Sequence, residues 1–181
     1  MKKIVAIGPE STGKSTLCSL LASHYNTSWC PEYARSYLLS HGIAYNYDDL
    51  LTIARGQVAL EEAYIENAKQ QSRALPVLLF VDTDMYVMKV WCEYVYHKCH
   101  QYILDQITTR QYDLYLLCNP DLPWEPDVLR EYPDEPARIE LYGIYKKLLL
   151  NQNTPFIEIK GNYTERLQTA VNAVDNLIAH S

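Results

Sequence analysis

Along this chain, short runs of consecutive apolar residues alternate with longer stretches in which apolar residues recur at three- and four-residue spacing. The short runs are Lys3 to Ile7, Thr27 to Cys30, Pro76 to Val81, Asp113 to Cys118 and Phe156 to Ile159. They have strand length and are mostly continuously apolar rather than alternating, which is the pattern of strands covered on both faces in a parallel sheet. The periodic stretches predict helices at about Lys14 to His24, Asp48 to Ser72, Asp84 to Tyr96, His100 to Arg110, Pro136 to Leu150 and Tyr163 to Ala179. Strands separated by helices imply an α/β fold of three layers around a five-stranded parallel sheet. The stretch from Asn119 to Pro136 holds five of the nine prolines, so it can be neither a regular helix nor a central strand. A connection of that length inside a domain is typically a functional loop, and a lid over about residues 119–136 is expected.

Composition narrows the picture. A length of 181 residues suits one domain over 1–181, and 48% hydrophobic with 12% aromatic residues excludes a disordered chain. The net charge of −6 repels phosphate backbones and anionic lipid, so neither a nucleic acid nor a membrane is expected as partner. The sixteen tyrosines lack basic interleaving and read as packing rather than as a stacking platform for bases. The longest apolar run after the first strand, Leu75 to Val81, is far shorter than the roughly 20 residues a membrane-spanning helix needs. The apolar run after the basic Met1-Lys2-Lys3 stops at Gly8, too soon for a signal peptide, so a cytoplasmic location is expected. Five scattered cysteines read as reduced thiols. Cys92, His97, Cys99 and His100 look like a metal cluster, but on one continuous helix their side chains would not converge.

The chemistry begins where the first strand ends. Gly8-Pro9-Glu10-Ser11-Thr12-Gly13-Lys14-Ser15 matches G-x-x-x-x-G-K-[ST], and Thr16 continues into an apolar-periodic helix. Glycines at those positions let backbone N–H groups turn inward around phosphate oxygens. Lys14 then reaches the β- and γ-phosphates, Ser15 meets Mg²⁺, and the helix N-terminus adds its positive end. The third strand closes on Asp82, the carboxylate such a metal site needs, with Asp84 two residues on. Asp84 has a second reading as the cap of the next helix. The second strand ends at Glu32 and Arg35, which should face the same crevice at the carboxyl ends of the strands. There Glu32 is a candidate base for a substrate hydroxyl, and Arg35 could bind a substrate oxygen or a moving phosphoryl group. A plain surface pair of the two is the competing reading. Gly56-Gln57 interrupts a strong helix, which suggests a close approach by ligand or chain, with Gln57 offering an amide to a base or carboxamide. The lid stretch carries Asn119, Trp124, Asp127, Arg130 and Arg138, and arginines over transferring phosphates stabilise developing charge.

Taken together, the Gly8 loop, Glu32-Tyr33-x-Arg35, Gly56-Gln57, Val81-Asp82-Thr83-Asp84 and Trp124-x-x-Asp127-x-Leu129-Arg130 resemble the ribosylnicotinamide kinase domain of the NadR type, within the P-loop NTPase superfamily. The resemblance implies the fold of P-loop nucleoside and nucleotide kinases, with a lid after strand four and Asn162 and Tyr163, in the Gly161-Asn162-Tyr163 loop, near adenine. It implies phosphorylation of a nucleoside 5′-hydroxyl by ATP and Mg²⁺, with nicotinamide riboside as the leading acceptor. The roles would be Lys14, Glu32, Asp82 and Arg130 in catalysis, Ser15 and Asp82 on the metal, and Glu32, Arg35, Gln57 and Asp84 on the acceptor. Walker A begins at residue 8 and no H-x-G-H signature occurs, so only the kinase function is expected to transfer. A kinase for another nucleoside or a nucleotide fits the same residues. An NTP-hydrolysing regulatory module is the reading from a different class, disfavoured by the lack of an N-K-x-D motif and by the lid.

Overall fold

Ile4, Val5, Ala6 and Ile7 have no exposed surface, which a strand achieves only with neighbours on both edges and helices on both faces. The computed structural model describes residues 1–71 and 76–180. Among these, β1 (Lys2–Ile7), β2 (Ser28–Cys30), β3 (Leu78–Asp82), β4 (Leu114–Cys118) and β5 (Phe156–Ile159) form one parallel sheet in the order β2-β3-β1-β4-β5. The register sets Ala6 beside Asp82 on one side and Ile7 beside Leu117 on the other. All five carboxyl ends therefore lie along one rim, where the connections from the neighbouring strands β1 and β3 leave to opposite sides.

Side-chain alternation divides the core in two. Ile4, Ala6, Phe80, Leu116 and Cys118 face α1 (Lys14–His24) and α7 (Tyr163–Ala179). Val5, Ile7, Leu79, Val81, Tyr115 and Leu117 face α4 (Met85–Tyr96), α6 (Glu135–Leu150) and the middle of α3 (Tyr47–Gln71). A third cluster joins α2 (Tyr33–His41) and α5 (Gln101–Thr109) to α3 and α4 through Ala34, Leu50, Ile53, Met88 and Ile103. The α/β class, the three layers and the five parallel strands agree with the sequence pattern.

One helix was not expected. The nine residues of α2 bury only Ala34 and Leu38, too few for a periodic signal. Ser72, the expected last residue of the long helix, and Leu75 lie outside the described residues. No helix among the described residues is long and apolar enough to cross a membrane. The cysteines are free thiols. The Cys92 to His100 region is not one helix: His97 ends α4 in the left-handed region, and His100 meets the Tyr47 carbonyl oxygen through Nε2.

Candidate active site

The loop after β1 turns as its glycines allow. Gly8 has φ of +141°, and a Cβ there would lie 2.6 Å from the Cys118 carbonyl oxygen. The loop can thus pass close to the end of β4 only with glycine. Gly13, at φ +74°, leads into α1, whose N-terminus carries no side-chain cap. Its first backbone N–H groups and the dipole behind them are left for an anion. Inside the loop, Thr12 Oγ1 and Lys14 Nζ both donate to the Pro9 carbonyl, each at 2.8 Å.

Asp82 reaches this loop from the neighbouring strand. Its Oδ2 accepts from Ser15 Oγ at 2.5 Å, while Oδ1 is buried without a partner. A carboxylate oxygen left unpaired beside a hydroxyl fits a hard cation that also takes oxygens from water and phosphate, as Mg²⁺ does. Among the described residues no cluster of three or more His, Cys, Asp or Glu could hold a metal by itself, so the donor set suits a phosphate-bound cation rather than a protein-only cage.

Glu32 stands across the cavity at the start of α2. It is partly buried, and Thr83 Oγ1 donates to its Oε1 at 3.4 Å. Burial first, then the nearby negative charge of Asp82, pushes its carboxyl up to about 7, against the pull of Lys14. Burial likewise raises Asp82, opposed by Lys14 and Ser15. Two carboxylates near one lysine thus share a site in which one of them is poised to take up a proton near neutrality.

These groups line one cavity of about 590 Å³. Its walls include residues 8–16 of the phosphate loop, Glu32, Arg35, Asp82 and Arg130, together with the aromatic rings of Trp91, Tyr94, Tyr132 and Tyr145. Arg35 pairs with Asp127 at 2.9 Å, which ties α2 to the β4–α6 connection. Arg130 donates to the Glu125 carbonyl and lies 5.7 Å over the Trp124 ring, with Arg138 at 5.6 Å.

Four expected site residues do not line this cavity. Gln57 is buried; its Oε1 accepts from the Tyr33 N–H at 2.7 Å, and its Nε2 donates to the Pro31 carbonyl at 3.5 Å. It fixes the turn that presents Glu32 and does not line the cavity. Gly56 is explained by the chain itself, since a Cβ there would stand 2.1 Å from the Tyr33 ring. Asp84 caps α4, accepting from the N–H groups of Tyr86 and Val87, and its other oxygen takes the Tyr115 hydroxyl at 2.8 Å. Burial pushes it up to about 7, but its carboxyl is fully occupied away from the cavity. The capping reading of Asp84 therefore replaces the substrate-binding one. Asn162 forms a capping box with Glu165 at the start of α7, and Tyr163 packs near Gly13; neither lines the cavity.

Arg166 was not singled out in the sequence. It is buried, and its guanidinium donates to the carbonyls of Gly161 at 2.7 Å, Thr12 at 2.9 Å and Asn119 at 2.8 Å, and to the Asp121 carboxylate. One side chain thereby clamps the loops after β1, β4 and β5. No local spacing announces it, because its partners are mostly backbone oxygens from distant parts of the chain.

A family model described as an AAA domain matches residues 3–166. The trifunctional NAD biosynthesis/regulator protein NadR of Escherichia coli (strain K12) is 28% identical over 183 residues, covering 98% of this chain and 43% of that protein. Its counterpart in Salmonella typhimurium matches to the same extent. The chain thus spans less than half the length of these curated relatives. Among solved structures, NadR protein in complex with NR superposes with a TM-score of 0.73 at 22% identity, covering 98% of this chain and 50% of that one. A thymidylate kinase from Ehrlichia chaffeensis gives 0.62 at 12% identity, covering 96% and 98%. At these identities the structural likenesses show the fold alone.

Proposed function

The chain belongs to the AAA-domain family, and from that premise we propose that it is an ATP-dependent kinase that phosphorylates the 5′-hydroxyl of a nucleoside, nicotinamide riboside in particular. The observation that carries the reading is Glu32, a carboxyl pushed up to about 7 that lines the same cavity as Lys14 and Asp82. A group of that pKa can accept a hydroxyl proton at neutral pH as the oxygen attacks the γ-phosphorus. The amides of the Gly8 loop and the Lys14 ammonium bind and orient phosphate oxygens. Ser15 and Asp82 would hold Mg²⁺, which neutralises charge on the phosphates. Arg130 and Arg35 add positive charge from the other side of the cavity.

The acceptor choice rests on the cavity walls. Glu32, Asp127 and Glu131 bring negative charge, and Trp91, Tyr94, Tyr132 and Tyr145 bring aromatic faces. A cationic pyridinium with a hydroxyl-rich ribose is attracted by both, whereas a phosphate dianion would be repelled by the carboxylates. The NadR relatives, described as NAD biosynthesis proteins, and a NadR structure with NR support the same choice.

The test is a screen of nucleosides and their monophosphates with ATP and Mg²⁺, read by phosphoryl transfer and by thermal shift, since a ligand bound to the folded state alone raises apparent stability. Nicotinamide riboside should be phosphorylated and should stabilise the protein more than its mononucleotide does. Turnover of a monophosphate without turnover of any nucleoside would make the chain a nucleotide kinase instead, and ATP hydrolysis indifferent to every acceptor would make it a regulatory NTPase.

A further inference from the structure

Glu10 occupies a variable position of the phosphate loop, yet its carboxylate turns away from the phosphate cradle. Its Oε1 accepts the Glu131 N–H at 2.9 Å and also the Tyr132 N–H, and Oε2 lies 3.1 Å from the Glu131 nitrogen. Beside it, Ser11 Oγ accepts the Glu125 N–H at 3.1 Å. Two neighbouring residues of the loop thus hold the β4–α6 connection at separate points by its backbone.

The contact continues into the far wall of the cavity. The Glu131 side chain accepts the Tyr45 hydroxyl at 2.9 Å, and that hydroxyl in turn accepts the Trp91 indole N–H at 2.8 Å. Trp91 and Tyr132 both line the cavity. A carboxylate accepting backbone N–H groups makes charge-assisted bonds, stronger than neutral ones and fixed in direction. On the route from Glu10 through Glu131 and Tyr45 to Trp91, Glu10 is the member that belongs to the loop expected to hold nucleotide.

We propose that Glu10 is a positioning residue for the nucleoside: it sets the backbone at Glu131 and Tyr132, and through Glu131 and Tyr45 the Trp91 ring, so that a residue of the ATP loop governs acceptor affinity. The inference rests on the kinase reading for its kinetic form. Its structural form, that Glu10 holds residues 131 and 132, stands apart from it. A group that merely supported the phosphate loop would act on ATP first.

Two measurements on the full chain decide the matter. Hydrogen exchange of the Glu131 and Tyr132 amides, followed by NMR without any substrate, should be about tenfold faster in Glu10→Ala, the scale expected for losing a hydrogen bond to a charged group. Glu10→Gln keeps one carbonyl oxygen and should fall between it and the wild type, which also guards against an alanine variant that folds poorly. In steady-state kinetics the KM for nicotinamide riboside should rise about tenfold in Glu10→Ala while that for ATP changes less than about twofold. Unchanged exchange at both amides, or a rise in the ATP KM equal to or larger than that of the acceptor, would overturn the proposal. A wild-type protein that phosphorylates no nucleoside would sink the kinase reading instead, and the exchange rates would still decide whether Glu10 holds this segment.

Discussion

The two sides of the cavity are built differently. On the phosphate side the loops after β1, β4 and β5 converge on one buried guanidinium, Arg166, which engages three carbonyls and a carboxylate. On the other side the β4–α6 connection is held by more exposed contacts: Glu10 to its backbone, Arg35 to Asp127, and Tyr45 to Glu131. Buried charged groups with every nitrogen in use are costly to disturb, whereas exposed pairs exchange readily with water. A site for phosphates shared by many substrates gains from rigidity. If the proposed kinase reading holds, a wall that admits the acceptor would gain from contacts that break cheaply.

The largest effect is expected on the rigid side. Lys14→Ala should abolish phosphoryl transfer while leaving the thermal midpoint near the wild type, because Lys14 reaches across the loop to the Pro9 carbonyl rather than into the core. Wild-type turnover in this variant would remove the phosphate loop from the chemistry. Next comes Glu32, between the two sides. Glu32→Gln should lower kcat by roughly 10²- to 10⁴-fold with little change in ATP affinity. The pH profile gives an independent reading. A base pushed up to about 7 in the free protein is ionised above that value and protonated below it, so wild-type kcat/KM should fall as pH drops through about 7. The residual activity of Glu32→Gln should lack that limb. If the limb persists, another group is the base.

Arg166 separates the two sides most sharply. Arg166→Lys keeps the charge but replaces the planar fork with one nitrogen, which cannot serve three loops at once. The ATP KM should rise about tenfold, the size of losing one hydrogen bond to a charged group, and the acceptor KM should change far less. Combined with the opposite pattern expected for Glu10→Ala, this gives two variants with mirrored KM changes. Equal changes in both KM values for Arg166→Lys would mean that the clamp supports the whole rim rather than the nucleotide side.

How much of this was legible in the sequence follows from where each signal resides. The strands were legible because a two-sided burial requirement writes itself as continuous apolar runs, and the phosphate loop because its backbone geometry restricts residue types at Gly8 and Gly13. The helix α2 was not, since a helix that buries two residues has no period to read. Gln57 and Asp84 stand out in the sequence, and the structure gives both of them partners within the chain. The sequence offers Gln57 by its helix-interrupting Gly56 and Asp84 by its closeness to Asp82, yet cannot tell that the Tyr33 N–H and the Tyr115 hydroxyl claim their side chains first. Arg166 left no trace because carbonyl oxygens, its chief partners, are present at every residue alike.

The smallest effect should come from an exposed ion pair of the adjustable side. The Arg35 side chain is 53% exposed and that of Asp127 18%, and pairs of this kind contribute about 0 to 1 kcal/mol. Asp127 is held below its ordinary carboxylate range first by the Leu129 N–H and only then by Arg35, so its local turn matters more to it than the ion pair does. Asp127→Asn keeps an oxygen for Leu129 and removes the charge opposite Arg35. The acceptor KM should therefore shift by less than about threefold at low salt, and the shift should vanish at 1 M salt, where the screening length falls to about 3 Å. A change of tenfold or more that survives high salt would mean that the pair acts by more than its screened charge, through the geometry it gives the wall of the cavity.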